Sequence, residues 1–226
     1  MSLTREDLEN GLMLRIWREA NRDIPCKTND ELNASADQTL DAFGPAGDPW
    51  VFGYGSLIWN PLLDYDSRVP ATLNGYHRRF CLWSRTGRGT PERPGLVLGL
   101  DHGGSCTGVA YRIPREKARC ELRLLWRREM LSNAYEAHWM PVQTCVGEIR
   151  ALTFVINREN ANYAGDLSTD QLVEALSTAC GRLGSSRDYL CQTVEGLLEH
   201  GVRDPLLDEL HARVTAQAAL ESPDND

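Results

Sequence analysis

Residues 50–61 read WVFGYGSLIWNP, and the prediction of the fold starts from this stretch. Its first three residues are bulky and apolar, which is typical of a short buried strand. The strand runs directly into residues 53–56, GYGS, where two glycines permit a tight turn. We therefore predict a strand that ends in a loop whose backbone can come close to a ligand.

This glycine-spaced loop matches none of three familiar motifs. No Gly-Lys-Ser/Thr follows as in a Walker loop, Ile58 stands where a dinucleotide fingerprint needs its third glycine, and Gly-x-Ser-x-Gly is absent. A loop of this kind can turn backbone N–H groups toward a carboxylate or a developing oxyanion. A plain turn between two core segments explains the same residues, so both interpretations stay open here.

The rest of the chain predicts a strand-rich middle followed by helices. The predicted strands after the first cover residues 71–84, 96–100, 108–113, 138–146 and 148–157. The predicted helices of this part cover residues 115–131, 168–180, 186–200 and 205–216. Gly103 and Gly104 separate two of these strands, and Gly147 is the turn of a hairpin. Because strands and helices do not alternate regularly, we predict an α+β fold with a small mixed sheet that can close.

The N-terminal and C-terminal segments are predicted to lie outside the strand-rich domain. Apolar residues at helical spacing predict a helix over residues 4–21, with Thr4 as its cap. Residues 22–48 predict a linker with a short helix at residues 35–43. We accordingly predict an N-terminal helical extension over residues 1–48, one domain over residues 49–216, and a disordered tail over residues 217–226.

A carboxylate interrupts the apolar face of the helix that Pro114 is predicted to open. That face carries Ala118, Leu122, Leu125 and Trp126. Glu129 falls in the middle of the same stripe, whereas Arg127 and Arg128 are predicted to point elsewhere. Burial raises the pKa of a carboxyl group and suits it to moving protons near neutral pH. A position near the helix end, open to solvent or to an arginine, is the alternative explanation.

Other candidate residues carry weaker signals. Arg88, in a glycine-rich loop, can clamp a carboxylate or be a solvated loop residue. Tyr135 and Tyr189 are either ligand contacts or core residues with a satisfied hydroxyl group. Ser56 has no evident histidine partner that would make it a nucleophile. The histidines show no metal-ligand spacing, so we predict no metal site.

Charge, hydropathy and cysteine spacing argue against a nucleic-acid-binding, membrane-spanning or secreted protein. The formal net charge is −8 and no basic face stands out, which argues against a nucleic-acid partner. No apolar run reaches the length of a membrane span, and the first ten residues show no secretory signal. The seven cysteines are widely spaced without CxxC, which favours reduced thiols and a cytoplasmic protein.

Taken together, these segments resemble the ChaC family. The resemblance starts with residues 50–61 and covers roughly residues 49–215. Further matching segments are residues 75–80 (GYHRRF), 87–95 (GRGTPERPG), 108–112 (GVAYR), 128–130 (REM) and 189–190 (YL). Where many relatives carry Gly-Gly-Tyr after the glutamate, residues 131–135 read LSNAY, so Tyr135 matches and the glycines do not.

The resemblance implies a γ-glutamylcyclotransferase fold and a set of site residues. It implies that Glu129 is the general acid and base of the reaction. It implies that the γ-glutamyl group is held by the loop of Val51, Phe52, Gly53, Tyr54, Gly55, Ser56 and Leu57. Arg88, Tyr135 and Tyr189 complete the predicted substrate-binding set.

The activity that the resemblance implies is cleavage of glutathione into 5-oxoproline and cysteinylglycine, without a cofactor. The substrate's own α-amine attacks its γ-carbonyl, so the only partner expected is a small molecule. Two alternatives stay open. One is the same chemistry on other γ-glutamyl amino acids or amines, and the other is a non-catalytic regulatory binding protein.

Overall fold

The computed structural model describes residues 3–20 and 26–221. The strands of these residues are β1 (Trp50–Gly53), β2 (Ser67–Ser84), β3 (Gly95–Arg112), β4 (Tyr135–Thr144), β5 (Gly147–Ile156), β6 (Cys180–Gly181) and β7 (Gly184–Ser185). The helices before β4 are α1 (Arg5–Glu9), α2 (Leu12–Ala20), α3 (Asn29–Phe43), α4 (Ser56–Trp59) and α5 (Arg115–Glu129). Those after β5 are α6 (Thr169–Thr178), α7 (Ser186–Glu199) and α8 (Pro205–Glu221).

A closed barrel organises the fold, with strand order β1-β3-β2-β4-β5. Neighbouring strands are antiparallel except at the closure, where Trp50 of β1 pairs with Ala151 of β5 in parallel. The short strand β1 therefore completes the ring between two longer strands. The predicted α+β class with a small mixed barrel and flanking helices is confirmed.

The long hairpin β2–β3 differs from the prediction at its turn region. Residues 96–100 and 108–113 were predicted as two strands, but β3 runs through Gly103 and Gly104 without ending. The pairing shifts register there, because these two glycines on β3 face the single Gly75 on β2. All three have positive φ angles, which glycine adopts at little steric cost. The glycines therefore form a bulge inside a strand and do not separate two strands.

The core forms where α5 and α3 pack on the barrel. The four predicted apolar residues of α5 are all buried. Trp126, the last of them, packs edge-to-face on Phe154 and donates its indole N–H to Ser35 Oγ of α3. Arg123 of α5 forms a two-pronged ion pair with Asp37 of α3. The predicted stripe is thus the face that fixes α5, and with it the position of Glu129.

The N-terminal segment folds as two helices instead of one. Thr4 caps α1 as predicted, in a capping box with Asp7. Gly11, with φ near +69°, turns the chain between α1 and α2. The helix predicted at residues 35–43 starts earlier, because Thr28 and Glu31 form a second capping box. Residues 21–25, part of the predicted helix and linker, lie outside the described residues.

The C-terminal helices keep the predicted order with different ends. The predicted helix 168–180 stops at Thr178, and a small hairpin, β6–β7, leads into α7. Ser168 and Ser185 cap α6 and α7. Helix α8 continues to Glu221, so the predicted disordered tail is helical over residues 217–221. The remaining residues of that predicted tail lie outside the described part of the chain.

Candidate active site

A pocket of about 210 Å³ opens where the loop after β1, the end of α5 and the start of α7 come together. Its lining side chains combine aromatic rings, three arginines and one carboxylate: Trp59, Trp83, Tyr135, Tyr189, Arg85, Arg88, Arg128 and Glu129 are among them. A smaller hollow of about 20 Å³ adjoins it and shares Ser56, Glu129, Tyr135 and Tyr189 with it. That volume holds a group about the size of one water molecule.

Glu129 stands at the junction of the pocket and the hollow. It is the last residue of α5, and its side chain is only 14% exposed. Burial raises the pKa of its carboxyl group above the ordinary value, and the nearby Arg128 guanidinium counteracts part of that effect. Glu129 is therefore buried, as one interpretation of the helix pattern predicts, and it also lies at the helix end beside an arginine, as the other predicts. A raised pKa brings the group closer to the range in which it can accept and return protons at neutral pH.

Arg128 lies in the same pocket, which corrects the prediction that it points elsewhere. Its Nε atom is 3.1 Å from Glu129 Oε1. Its two Nη atoms donate to the carbonyl of Asn60 at 2.6 Å and to Ser56 Oγ at 2.7 Å. At the end of a helix a long side chain can fold past the last turn, so the helical wheel does not fix where its head lies. Arg128 thereby ties α5 to the glycine-spaced loop.

The last four residues of the predicted loop form the wall of the small hollow. Tyr54, Gly55, Ser56 and Leu57 all line it. Helix α4 begins at Ser56, and the first N–H groups of a helix have no partner inside it. These N–H groups lie beside a cavity that fits one oxygen-sized group.

Gly55 is required by close packing. A Cβ atom at this position would lie 2.8 Å from Tyr189 Oη. At Gly53 a Cβ atom would lie 3.0 Å from Leu57 Cβ. The two glycines therefore let the loop, the next helical turn and a pocket tyrosine approach one another.

The first three residues of the predicted binding loop do not reach the pocket. Val51 and Phe52 are fully buried in the barrel, and Gly53 packs between Leu57 and Tyr111. All three belong to β1, and all three are buried, so both faces of this strand are covered. A strand followed by a loop is visible in the sequence, but the residue at which the backbone leaves the barrel is not.

Three tyrosines surround the carboxylate. Tyr135 Oη donates to the carbonyl of Leu98 at 2.9 Å, and Tyr189 packs in the same corner. Burial raises the pKa of Tyr54, Tyr135 and Tyr189, and the charge of Glu129 adds to that effect. Their hydroxyl groups therefore stay protonated at neutral pH and can donate hydrogen bonds.

Arg88, in the loop between β2 and β3, also lines the pocket. Its guanidinium lies 5.4 Å from the ring centre of Tyr189 and 5.7 Å from that of Trp59. Its Nη1 atom also donates to the carbonyl of Ser185 at 3.3 Å. Burial lowers the pKa of the Arg88 guanidinium, but an arginine remains charged in proteins. The site thus holds a rigid cation that can face a carboxylate.

Arg78 contacts the glycine-spaced loop without lining the pocket or the hollow, and sequence reasoning did not identify it. The residue is 3% exposed, and its Nη1 atom donates to the carbonyl of Tyr54 at 2.8 Å. Its Nε atom lies 2.7 Å from Asp204 Oδ2, in the loop before α8. Because the peptide is planar, fixing the Tyr54 carbonyl also fixes the direction of the Gly55 N–H. The matching segment at residues 75–80 was the available signal.

Residues 131–135, which lack the two glycines of many relatives, still contain one residue in a backbone conformation typical of glycine. Asn133 has a φ angle of 52°, in the left-handed region. Asparagine tolerates this region better than other non-glycine residues. The turn that places Tyr135 in the pocket is therefore formed without the two glycines of many relatives.

Among residues 3–20 and 26–221, no cluster of histidine, cysteine, aspartate or glutamate is arranged to hold a metal ion. None of the helices in the same residues is long and apolar enough to cross a membrane.

Comparison with known proteins identifies the family. Residues 49–217 match the model of the ChaC-like protein family. The glutathione-specific gamma-glutamylcyclotransferase of Escherichia coli (strain K12) is 38% identical over 192 residues, covering 84% of this chain and 83% of that protein. The protein of the same name from Schizosaccharomyces pombe is 33% identical over 202 residues, covering 79% of this chain and 98% of that protein.

A solved structure supports the same relationship at the level of the fold. The crystal structure of a yeast gamma glutamyl cyclotransferase specific to glutathione has a TM-score of 0.70 and 24% sequence identity. The similarity covers 76% of this chain and 97% of that one. The resemblance predicted from the motifs is confirmed. This chain belongs to the ChaC-like family.

Proposed function

We propose that this protein cleaves glutathione into 5-oxoproline and cysteinylglycine, with Glu129 as general acid and base. One observation carries the proposal: the buried Glu129 carboxylate lies beside a glycine-spaced loop in a pocket lined by tyrosines and arginines. The names of the Escherichia coli and Schizosaccharomyces pombe relatives support glutathione as the substrate.

The reaction is an internal displacement. The α-amine nitrogen of the γ-glutamyl unit forms a bond to its own γ-carbonyl carbon, and the bond from that carbon to the cysteinyl nitrogen breaks. A proton leaves the α-amine and ends on the departing nitrogen, so no water or redox partner is consumed. Holding the γ-glutamyl chain folded back makes ring closure effectively unimolecular.

Glu129 supplies the proton transfers. An α-amine titrates near pH 8 in model compounds, and only its neutral form attacks. The ionised Glu129 carboxylate accepts the proton, and the resulting acid donates it to the leaving nitrogen. Its raised pKa favours the first step, because a more basic carboxylate is a better proton acceptor.

The small hollow receives the charge that develops on the γ-carbonyl oxygen. Backbone N–H groups at Ser56 and Leu57, at the start of α4, are suited to an oxyanion of that size. The protonated hydroxyl group of Tyr189 is a further donor at its edge, whereas the single hydrogen of Tyr135 Oη is already donated to the Leu98 carbonyl. Arg88 binds a substrate carboxylate at the side of the pocket formed by Trp59 and Tyr189.

The proposed setting is the cytoplasm, with residues 49–216 as the catalytic domain. All seven cysteines, which lie in the described residues, are unpaired, as expected in a reducing compartment. The extension over residues 1–48 is proposed to pack on this domain through α1, α2 and α3.

The test is product analysis with purified protein. Glutathione is incubated with the protein in buffer containing a chelator, and 5-oxoproline and cysteinylglycine are followed by mass spectrometry. Equal amounts of the two products support the proposal. If γ-glutamylalanine is cleaved much faster than glutathione, the alternative substrate class is favoured. If folded protein produces neither product, the non-catalytic binding protein is the better account.

A further inference from the structure

The N-terminal segment reaches the pocket although it lies outside the matched residues 49–217. Four of its residues line the pocket: Leu3, Met13, Ile16 and Trp17. None of them lines the small hollow beside Glu129. The segment therefore bounds the outer part of the pocket, away from the glycine-spaced loop.

Two polar anchors hold the start of this segment against the domain. Arg5 donates both Nη atoms to the carboxylate of Glu121, at 2.7 and 2.8 Å, and Glu121 is only 2% exposed. Asn60 donates its side-chain N–H to the carbonyl of Leu3 at 2.9 Å. The Asn60 carbonyl also accepts from Arg128, so the anchor and the proposed catalytic pair share one residue.

Apolar and ionic contacts fix the rest of the segment. Leu8 and Ile16 are buried, and Arg127 donates to the carbonyl of Glu9 at 3.2 Å. Near the end of α2, Glu19 pairs with Arg182 of the turn between β6 and β7. The segment therefore contacts the domain through α1 and at the end of α2, and α2 forms a wall of the outer pocket.

The outer pocket combines apolar walls with a cation, which suits a short peptide that has a small side chain and a terminal carboxylate. Trp83 and Val97 add further apolar surface to that of α2. Arg88 adds a cation, which can pair with a terminal carboxylate. Mostly apolar walls with a few fixed polar groups are typical of small-molecule sites.

We propose that Met13, Ile16 and Trp17 form a subsite for the cysteinylglycine part of glutathione. The inference rests on the proposed function, which places the γ-glutamyl group beside Glu129 and leaves the departing dipeptide in the outer pocket. The N-terminal extension then contributes to binding of the leaving group, while the catalytic groups belong to the matched domain.

The test compares truncations of α2 side chains that line the pocket with the truncation of one that does not. Trp17→Ala and Met13→Ala remove the proposed wall, while Leu14→Ala shortens a neighbouring side chain that packs on the core but does not line the pocket. We expect Trp17→Ala to raise the KM for glutathione about tenfold while kcat changes less than about twofold, with a smaller rise for Met13→Ala.

Inhibition by the two products gives a second readout. Trp17→Ala should raise the inhibition constant of cysteinylglycine about tenfold and leave that of 5-oxoproline unchanged. If the wild-type protein does not cleave glutathione, the proposed function fails and the subsite fails with it. If the wild type is active and Trp17→Ala behaves like Leu14→Ala, or weakens both products equally, the subsite alone is overturned.

Discussion

Arg128 Nε lies 3.1 Å from Glu129 Oε1, so two consecutive residues at the end of α5 direct their charges into one pocket. The pair is nearly enclosed, with Arg128 8% and Glu129 14% exposed. The same guanidinium binds Ser56 and Asn60. Arg128 therefore couples the ionisation of Glu129 to the position of the loop that borders the hollow.

Replacing Arg128 should shift the pH dependence of the reaction. The positive charge of Arg128 lowers the pKa of Glu129, so Arg128→Gln raises that pKa further. Because the proposed base is the ionised carboxylate, the acid limb of kcat/KM against pH should move to higher pH. Loss of the loop contacts should reduce kcat/KM by roughly tenfold or more even above that limb.

A surface arginine provides the control for that experiment. Arg213 pairs with Glu209 on the exposed face of α8, so Arg213→Gln removes one positive charge without touching the pocket. Its pH profile should overlay that of the wild type. If Arg128→Gln lowers kcat/KM at every pH but leaves the acid limb where it is in the wild type, Arg128 positions the loop and does not influence the pKa of Glu129.

Adding one methyl group at Gly55 should disturb the hollow. The Cβ atom of Gly55→Ala would meet Tyr189 Oη at 2.8 Å, which forces the tyrosine or the loop to move. We expect kcat/KM to fall by up to about a hundredfold, since small displacements at a reacting centre can have effects of that size.

Removing the hydroxyl group of Tyr189 tests the cause of that loss. If the clash is responsible, Gly55→Ala should reduce kcat/KM by a smaller factor in a Tyr189→Phe background than in the wild type, whatever Tyr189→Phe itself costs. Equal or additive losses in the double variant would mean that the Tyr189 contact is not the reason for glycine at this position.

Burying Glu129 should reduce stability at neutral pH. Its pKa is raised on folding, so between the unfolded and folded values the native state binds more protons than the unfolded state. The free energy of unfolding then falls as pH rises through that window. Glu129→Gln removes the effect, so its Tm should exceed that of the wild type by a few degrees at pH 7.5.

The pH dependence separates this effect from altered packing. Below the pKa of an unfolded glutamate the wild-type side chain is neutral in both states, so the Tm difference should shrink toward zero in acid. A difference that is independent of pH, or a Glu129→Gln variant less stable at pH 7.5, would contradict the assignment of a raised pKa.

Variants of Arg78 and Asp204 should separate the effect of loop position on turnover from the effect of the ion pair on stability. Arg78→Gln removes both the ion pair with Asp204 and the hydrogen bond to the Tyr54 carbonyl. It should destabilise the protein by about 3 kcal/mol and lower kcat more than it changes KM. Asp204→Asn breaks the ion pair but leaves the Tyr54 contact in place, so it should lose stability and keep most of kcat.

The measurement for this pair is urea unfolding alongside steady-state kinetics at a temperature where both variants are folded. Arg78→Lys retains the charge and should recover part of the stability but little of kcat, because lysine lacks the forked geometry. If kcat falls equally in Arg78→Gln and Asp204→Asn, Arg78 has no separate effect on the loop.

Two features of the site could be predicted because they depend on local patterns. The apolar stripe of α5 determines which face of the helix packs inward, and Glu129 follows from that face. A pair of glycines after an apolar strand indicates a close backbone approach, which the contact between Gly55 and Tyr189 explains. The closed barrel likewise follows from the order of strands and helices together with the family resemblance.

Other features depend on contacts between distant parts of the chain. The head of Arg128 lies where Asn60 and Ser56 accept its hydrogen bonds, which helical spacing does not encode. Val51 and Phe52 enter the barrel because β1 closes it, a fact of sheet pairing. The contribution of α2 to the pocket is likewise a tertiary contact, so the spacing of its apolar residues predicts a helix without indicating what it covers.

The most direct test of the account is turnover by Glu129→Gln, measured as 5-oxoproline released from glutathione. Calorimetric binding of glutathione to the same protein serves as the control for an intact pocket. The account predicts a fall in kcat of about 10² to 10⁴-fold with glutathione still bound, as expected for loss of a general acid and base. Turnover within a few-fold of the wild type would contradict the proposed role of Glu129.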